Sequence, residues 1–172
     1  EWGFEQMDFN AMETAPSLAH WFGTDQVGRD LYIRTMSGVQ ISLFVSLLAT
    51  FVSIPIGVAW GSVAGYLGGR VDELMMRFVD VLYSLPFILI VILLTVIFGS
   101  NLYLLFGALG AIYWLDMARI VRGQTIKLKS APFILAAEAQ GASTRDILLR
   151  HVIPNVTSPV IIYGTITVPA II

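Results

Sequence analysis

Asp80 and Asp116 stand at the edges of a stretch, 81–115, that carries no Asp, Glu, Lys or Arg. An acid so placed can relay a proton, the chemistry of an ion-coupled transporter. Each aspartate also has an arginine three residues away on the same helical face. Arg77 serves Asp80 and Arg119 serves Asp116, so structural ion pairs at the membrane edge are the plainer expectation. Cross-pairing between the two helices is the remaining arrangement. Other chemistry is thinly supplied. The sequence has no G-x-x-x-x-G-K-[ST] loop, no H-E-x-x-H, no G-x-S-x-G and no cysteine, and His20 and His151 stand alone. No catalytic residue, cofactor or metal site is expected within it.

The elements that must position these residues are apolar helices. Hydrophobic residues make up 56% of the chain and charged ones 13%, against a usual charged share of about 25% in soluble domains. Charge is also absent from 35–69 and 152–172. A membrane helix needs about 20 mostly apolar residues, so an all-α integral membrane protein is expected. Short alternating barrel segments are absent. The net charge of −2 and the lack of a basic stripe exclude a nucleic-acid partner.

We place a first span at 39–66, kinked at Pro55, and spans at 76–98 and 101–121 joined by a turn at "FGSN". A fourth begins near Val152 and should be bent or broken by Pro154, Pro159 and Pro169. Arg119, Arg122, Lys127, Lys129, Arg145 and Arg150 make 122–151 the cytoplasmic segment under the positive-inside rule. The organisation is then an external segment over 1–34, three spans over 35–121, the cytoplasmic loop, and a next span over 152–172. The outer segment holds six acids, Glu1, Glu5, Asp8, Glu13, Asp25 and Asp30, and its export calls for a span upstream of Glu1. An internal piece of a longer protein is expected. Trp21, Phe22, Tyr66, Tyr103 and Trp114 fall near span ends, as an interfacial aromatic belt does.

Gly57, Gly61 and Gly65 form two overlapping G-x-x-x-G steps on one helix face. Such a face lets another helix approach closely, either within this subunit or at a moving interface between subunits.

The loop 122–151 is longer than topology requires. Ser130 is positioned to cap a helix over "PFILAAEAQ", with Pro132 in the first turn. Gly141 supplies a left-handed stop, and Ser143 with Asp146 resembles a capping box that opens a second helix. Ala136, Ala137, Ala139, Gly141 and Ala142 give the hairpin a small-residue tip that leaves room for a partner's bulky side chains.

Here the chain resembles a family. "AAEAQGAS…ILLRHVIPN" is similar to the EAA loop of bacterial ABC importer permeases. "HWFGTDQVGRDLYIRTMSGVQISL" and "GYLGGRVDELMMRFVDVLYSLPFIL" resemble the dipeptide, oligopeptide and nickel branch, and within it the C-type permease subunit. The resemblance implies a polytopic helical bundle of the type I importer kind, with four or five of six spans present here, in the bacterial inner membrane. It implies a coupling helix docked in an ATPase cleft, carried by Leu135, Ala136, Ala137, Glu138, Gly141, Ala142, Ser143, Arg145 and Asp146. The family's leading glutamate falls on Leu135, a departure that Glu138, on a similar face, is placed to compensate. It also implies partners: two ABC ATPase subunits that hold ATP and Mg, a second homologous permease, and an external substrate-binding protein. Import of peptides or related small solutes is the leading reading. Nickel as substrate, an ion- or proton-coupled transporter using Asp80 and Asp116, and a membrane scaffold that recruits a soluble partner are the alternatives.

Overall fold

The computed structural model describes residue 3, residues 6–99 and residues 102–171. The side chains at 87, 91, 94, 98, 102–109, 111, 170 and 171 lie outside that description, so Tyr103 of the expected belt is not covered, and neither are Ser100 and Asn101 of the expected turn. The elements run α1 (Leu31–Leu67), α2 (Gly69–Ser84), α3 (Phe87–Phe98), α4 (Leu102–Lys129), α5 (Pro132–Ala139), α6 (Thr144–Ile147), a π-helical turn (Leu148–Val152) and α7 (Ile153–Ile171). The chain divides between Val45 and Ser46 into two compact units.

The first unit is a run of ordered turns that ends in the start of α1. Asp25 accepts the backbone N–H groups of Arg29 (2.9 Å) and Val27 (3.0 Å) and the Arg29 guanidinium (2.8 Å). These bonds, the Arg29 amide foremost, hold its carboxyl below the usual carboxylate range. Asp30 caps α1 by accepting from Tyr32 N (2.9 Å) and Ile33 N (3.1 Å), which satisfies two of the helix's open amides. His20 Nδ1 lies 2.9 Å from its other oxygen. Burial pushes the Asp30 carboxyl up, but the bonds from His20, Ile33 and Tyr32 outweigh it and the net shift is downward.

The second unit is built around α4. α2, α3, α5 and α7 all pack on it. α1 meets it through the glycines. A Cβ on Gly57 would sit 2.5 Å from Met117 Cβ, one on Gly61 would strike Ala118 O and lie 2.8 Å from Arg122 N, and one on Gly65 would lie 2.7 Å from Arg122 O. The backbones approach too closely for any larger residue, so the glycine face is filled from within the chain. Ser53 Oγ, which donates to Ala49 O within α1 (2.7 Å), also lies 3.2 Å from Gly110 O of α4. One buried cluster joins Tyr66, Met117, Val121, Ile134, Ile147, Val152, Val156 and Val160. A second joins Val79, Trp114, Leu115 and Ala118, with Trp60 packed on it. Tyr66 and Trp114 are therefore interior residues rather than belt anchors, whereas Trp21 and Phe22 are exposed.

Three features differ from the sequence expectation. α1 is a single helix of 37 residues that begins at Leu31, ahead of the span start expected at 39, and holds Pro55 inside it. At about 1.5 Å per residue it exceeds the thickness of a bilayer core. The span expected at 76–98 is two helices, α2 and α3, bent by 69°. The break has a local cause: Leu85 precedes Pro86 and is forced out of the helical region to φ −78, ψ 127. By contrast, the prolines of the last segment do not break it. Residues 144–169 are one helix, and the π turn at 148–152 immediately precedes Pro154. A proline removes the amide that would close a regular turn, and a widened turn absorbs that loss. Among the described residues two helices are long and apolar enough to cross a membrane, or three if α2 and α3 form one bent span.

Gly61→Leu should overpack the seam between α1 and α4. We expect a loss of at least about 1–3 kcal/mol, read as a lowered Tm of the detergent-extracted protein. An unchanged Tm would show that the two helices can separate at no cost.

Candidate functional site

The hairpin between α4 and α7 is built from local signals. Ser130 does not cap α5: Ala131 holds that position, and Ser130 Oγ donates instead to Lys127 O at the end of α4 (3.1 Å). Pro132 opens α5 at a position where its missing N–H costs nothing. Gly141 follows with φ +81, a backbone state that L side chains rarely adopt. Ser143 Oγ then accepts from Asp146 N (3.2 Å) and lies 2.6 Å from Asp146 Oδ2, which starts α6. Arg145 is exposed, and Arg150 pairs with Asp146 at 3.6 Å.

The two faces of the hairpin have different tasks. Ile134 and Ile147 are buried, and Ala137 and Ala142 pack against the same cluster. The smallness of these two alanines lets the hairpin close on the α4–α7 bundle. Phe133, Leu135, Ala136 and Ala139 point outward, with Phe133 42% and Leu135 52% exposed. Leu135 therefore puts an apolar side chain at the outer surface. Glu138 is tied inward, since Tyr66 Oη donates to its Oε1 at 2.7 Å and Lys129 Nζ sits 5.6 Å from the Tyr66 ring. Glu138 is exposed and at the same time fastens α5 to the end of α1.

The charges between α2 and α4 pair otherwise than the sequence spacing proposed. Arg119 reaches across to Asp80 (2.8 Å) and stacks over Tyr83 (4.2 Å), so it does not serve Asp116. Arg77 turns to Glu73 at 3.7 Å, one turn back on its own helix, rather than to Asp80. Three-residue spacing on one helix loses here because the facing helix offers a straighter approach. The cross-pair between helices is the arrangement that forms. Asp72 and Arg122 were not singled out from sequence, yet they make the best-formed pair. Arg122 Nε and Nη2 meet the two Asp72 oxygens at 2.5 and 2.6 Å, a two-pronged guanidinium–carboxylate contact. The signal was present: Asp72, Met76 and Asp80 recur at helical spacing opposite Arg119 and Arg122. Together these residues line a charged groove of about 700 Å³.

Apolar spanning helices joined by a folded polar hairpin define an integral membrane protein of helical type. The chain belongs to the binding-protein-dependent transport system inner membrane component family, whose pattern matches residues 57–172. An oligopeptide transport system permease protein, OppC, of Haemophilus influenzae is 48% identical over 171 residues, which is 98% of this chain and 55% of that protein. A dipeptide transport system permease protein, DppC, of Bacillus subtilis is 48% identical over 157 residues, 91% of this chain and 49% of its own length. A glutathione transport system permease protein, GsiD, of Escherichia coli is 39% identical over 161 residues, 94% of this chain and 53% of its own length. The chain spans about half the length of the curated relatives it matches.

A double-mutant cycle should rank the two ion pairs. Asp72 is 13% exposed, whereas Asp80 is 60% exposed. We expect a coupling energy above about 1 kcal/mol for Asp72–Arg122 and below that for Asp80–Arg119. Equal couplings from chemical unfolding would contradict the ranking.

Proposed function

We propose that this chain is the membrane-spanning permease part of an ATP-driven importer for oligopeptides or dipeptides. The observation that carries the reading is the α5–α6 hairpin, which is anchored inward through Tyr66–Glu138 and presents Phe133, Leu135 and Ala136 outward. ATP and Mg belong to two partner ATPase subunits, whose cleft receives α5. A second homologous permease completes the membrane path, and an external binding protein delivers the substrate. The relatives named above for oligopeptides, dipeptides and glutathione favour peptides over nickel.

Residues 122–151 face the cytoplasm in this reading and 1–34 face the outside, in a bacterial inner membrane. The lysines and arginines of 119–150 support that sense. Closure of the two ATPases moves α5 as a lever. The hydrogen bond at Glu138 passes the displacement to the end of α1, and the glycine seam passes it to α4. The movement exposes the path to one side and then the other, because the ATPases bind the two arrangements with different affinity. A proton-coupled mechanism that uses both aspartates has less support, since Arg119 holds Asp80 in an ion pair.

The outward face of α5 supplies the test. Ala136→Arg adds charge and bulk to that face, and we expect at least tenfold loss of peptide uptake together with loss of co-purifying ATPase. Ala137→Arg is a poor probe because Ala137 packs inward. Normal uptake with normal ATPase recovery from Ala136→Arg would remove the docking assignment.

A further inference from the structure

The break between α2 and α3 leaves a cavity of about 360 Å³ against α4. Leu82, Tyr83, Pro86, Ile112, Tyr113 and Asp116 line it. Its wall is apolar except for two phenols and one carboxylate, the composition of a small-molecule site. Asp116 is half-buried and makes no hydrogen bond or ion pair with the described residues. The arginine that sequence spacing assigned to it is held by Asp80 instead. Tyr163 of α7 lies within electrostatic reach of Asp116, Tyr83 and Tyr113. A carboxylate in apolar surroundings is costly until a cation meets it. A single carboxylate offers too few oxygens for a hard metal ion, whereas phenol faces attract organic cations.

We propose that this cavity binds a primary ammonium carried on an apolar body, and that its occupant in the transporter is the amino terminus of a peptide. The ammonium pairs with Asp116 beside the ring of Tyr113, Tyr83 being stacked under Arg119, and the first side chain lies along Leu82, Pro86 and Ile112. The choice of a peptide as occupant rests on the import reading above; the ammonium site does not.

The test uses the intact transporter with its partner subunits in lipid nanodiscs, without binding protein. Equilibrium binding of tyramine, trileucine and N-acetyl-trileucine is measured for the wild type, for Asp116→Asn and for Ile112→Trp, which fills the cavity while keeping the carboxylate. We expect tyramine and trileucine to bind the wild type, with acetylation weakening trileucine at least tenfold. Both variants should lose tyramine by a similar factor. Tyramine binding that depends on Asp116, without any trileucine binding, keeps the cavity and overturns the peptide as occupant. Absence of tyramine binding to the wild type overturns the cavity, as does equal binding by the wild type and Asp116→Asn. Equal affinity for free and acetylated trileucine overturns the amino-terminus assignment. Should Asp116→Asn fail to assemble, unchanged binding by Ile112→Trp overturns the cavity by itself.

Discussion

The approach of α1 to α4 is the constraint on which the rest of the second unit depends. Three glycines at four-residue spacing remove every side chain from one stripe of α1, and α4 fills the space with Met117, Val121 and backbone. Apolar lipid gives two helices little reason to associate, so close van der Waals packing has to supply the attraction. Once α4 is seated, its other faces receive α2, α3, α5 and α7. The same contact sets the height of Tyr66 at the end of α1, and through Tyr66 the position of Glu138 and of α5.

Polar groups are spent on linking elements rather than on chemistry. Asp72–Arg122 and Asp80–Arg119 join α2 to α4, Trp60 Nε1 donates to Met75 O to join α1 to α2 (3.2 Å), and Asp30 caps α1. Asp116 instead faces a cavity at the proline break. A chain that moves solutes needs rigid levers and a place where rigidity stops. The bend at Leu85–Pro86 and the π turn before Pro154 are two interruptions of that kind.

Much of this was legible in the sequence wherever the signal is local. The glycine repeat, the left-handed stop at Gly141 and the S-x-x-D spacing at Ser143 each depend on a few neighbouring residues, so their spacing alone states them. Proline was legible only in part. Leu85–Pro86 breaks the helix, whereas Pro55 and Pro159 lie inside continuous helices, a difference that spacing does not encode. Ion pairing was misread for a related reason: which aspartate an arginine reaches depends on how α2 is rotated against α4. The roles of Ala137 and Glu138 depend in the same way on how α5 is rotated against the bundle. A four-residue difference in spacing is readable in one helix; the rotation between two helices is a property of their packing.

The most direct test of the coupling role is site-specific crosslinking in the assembled transporter. Residues 1–172 contain no cysteine, so an introduced thiol is the one thiol within them. Thiols at Ala136 and Ala137 would be compared for crosslinking to the ATPase subunit, with and without ATP. The expected result is a crosslink from Ala136→Cys whose yield changes with nucleotide, and little or none from Ala137→Cys, which faces the interior. An actively transporting complex in which Ala136→Cys forms no ATPase crosslink in either state would contradict the coupling role of α5.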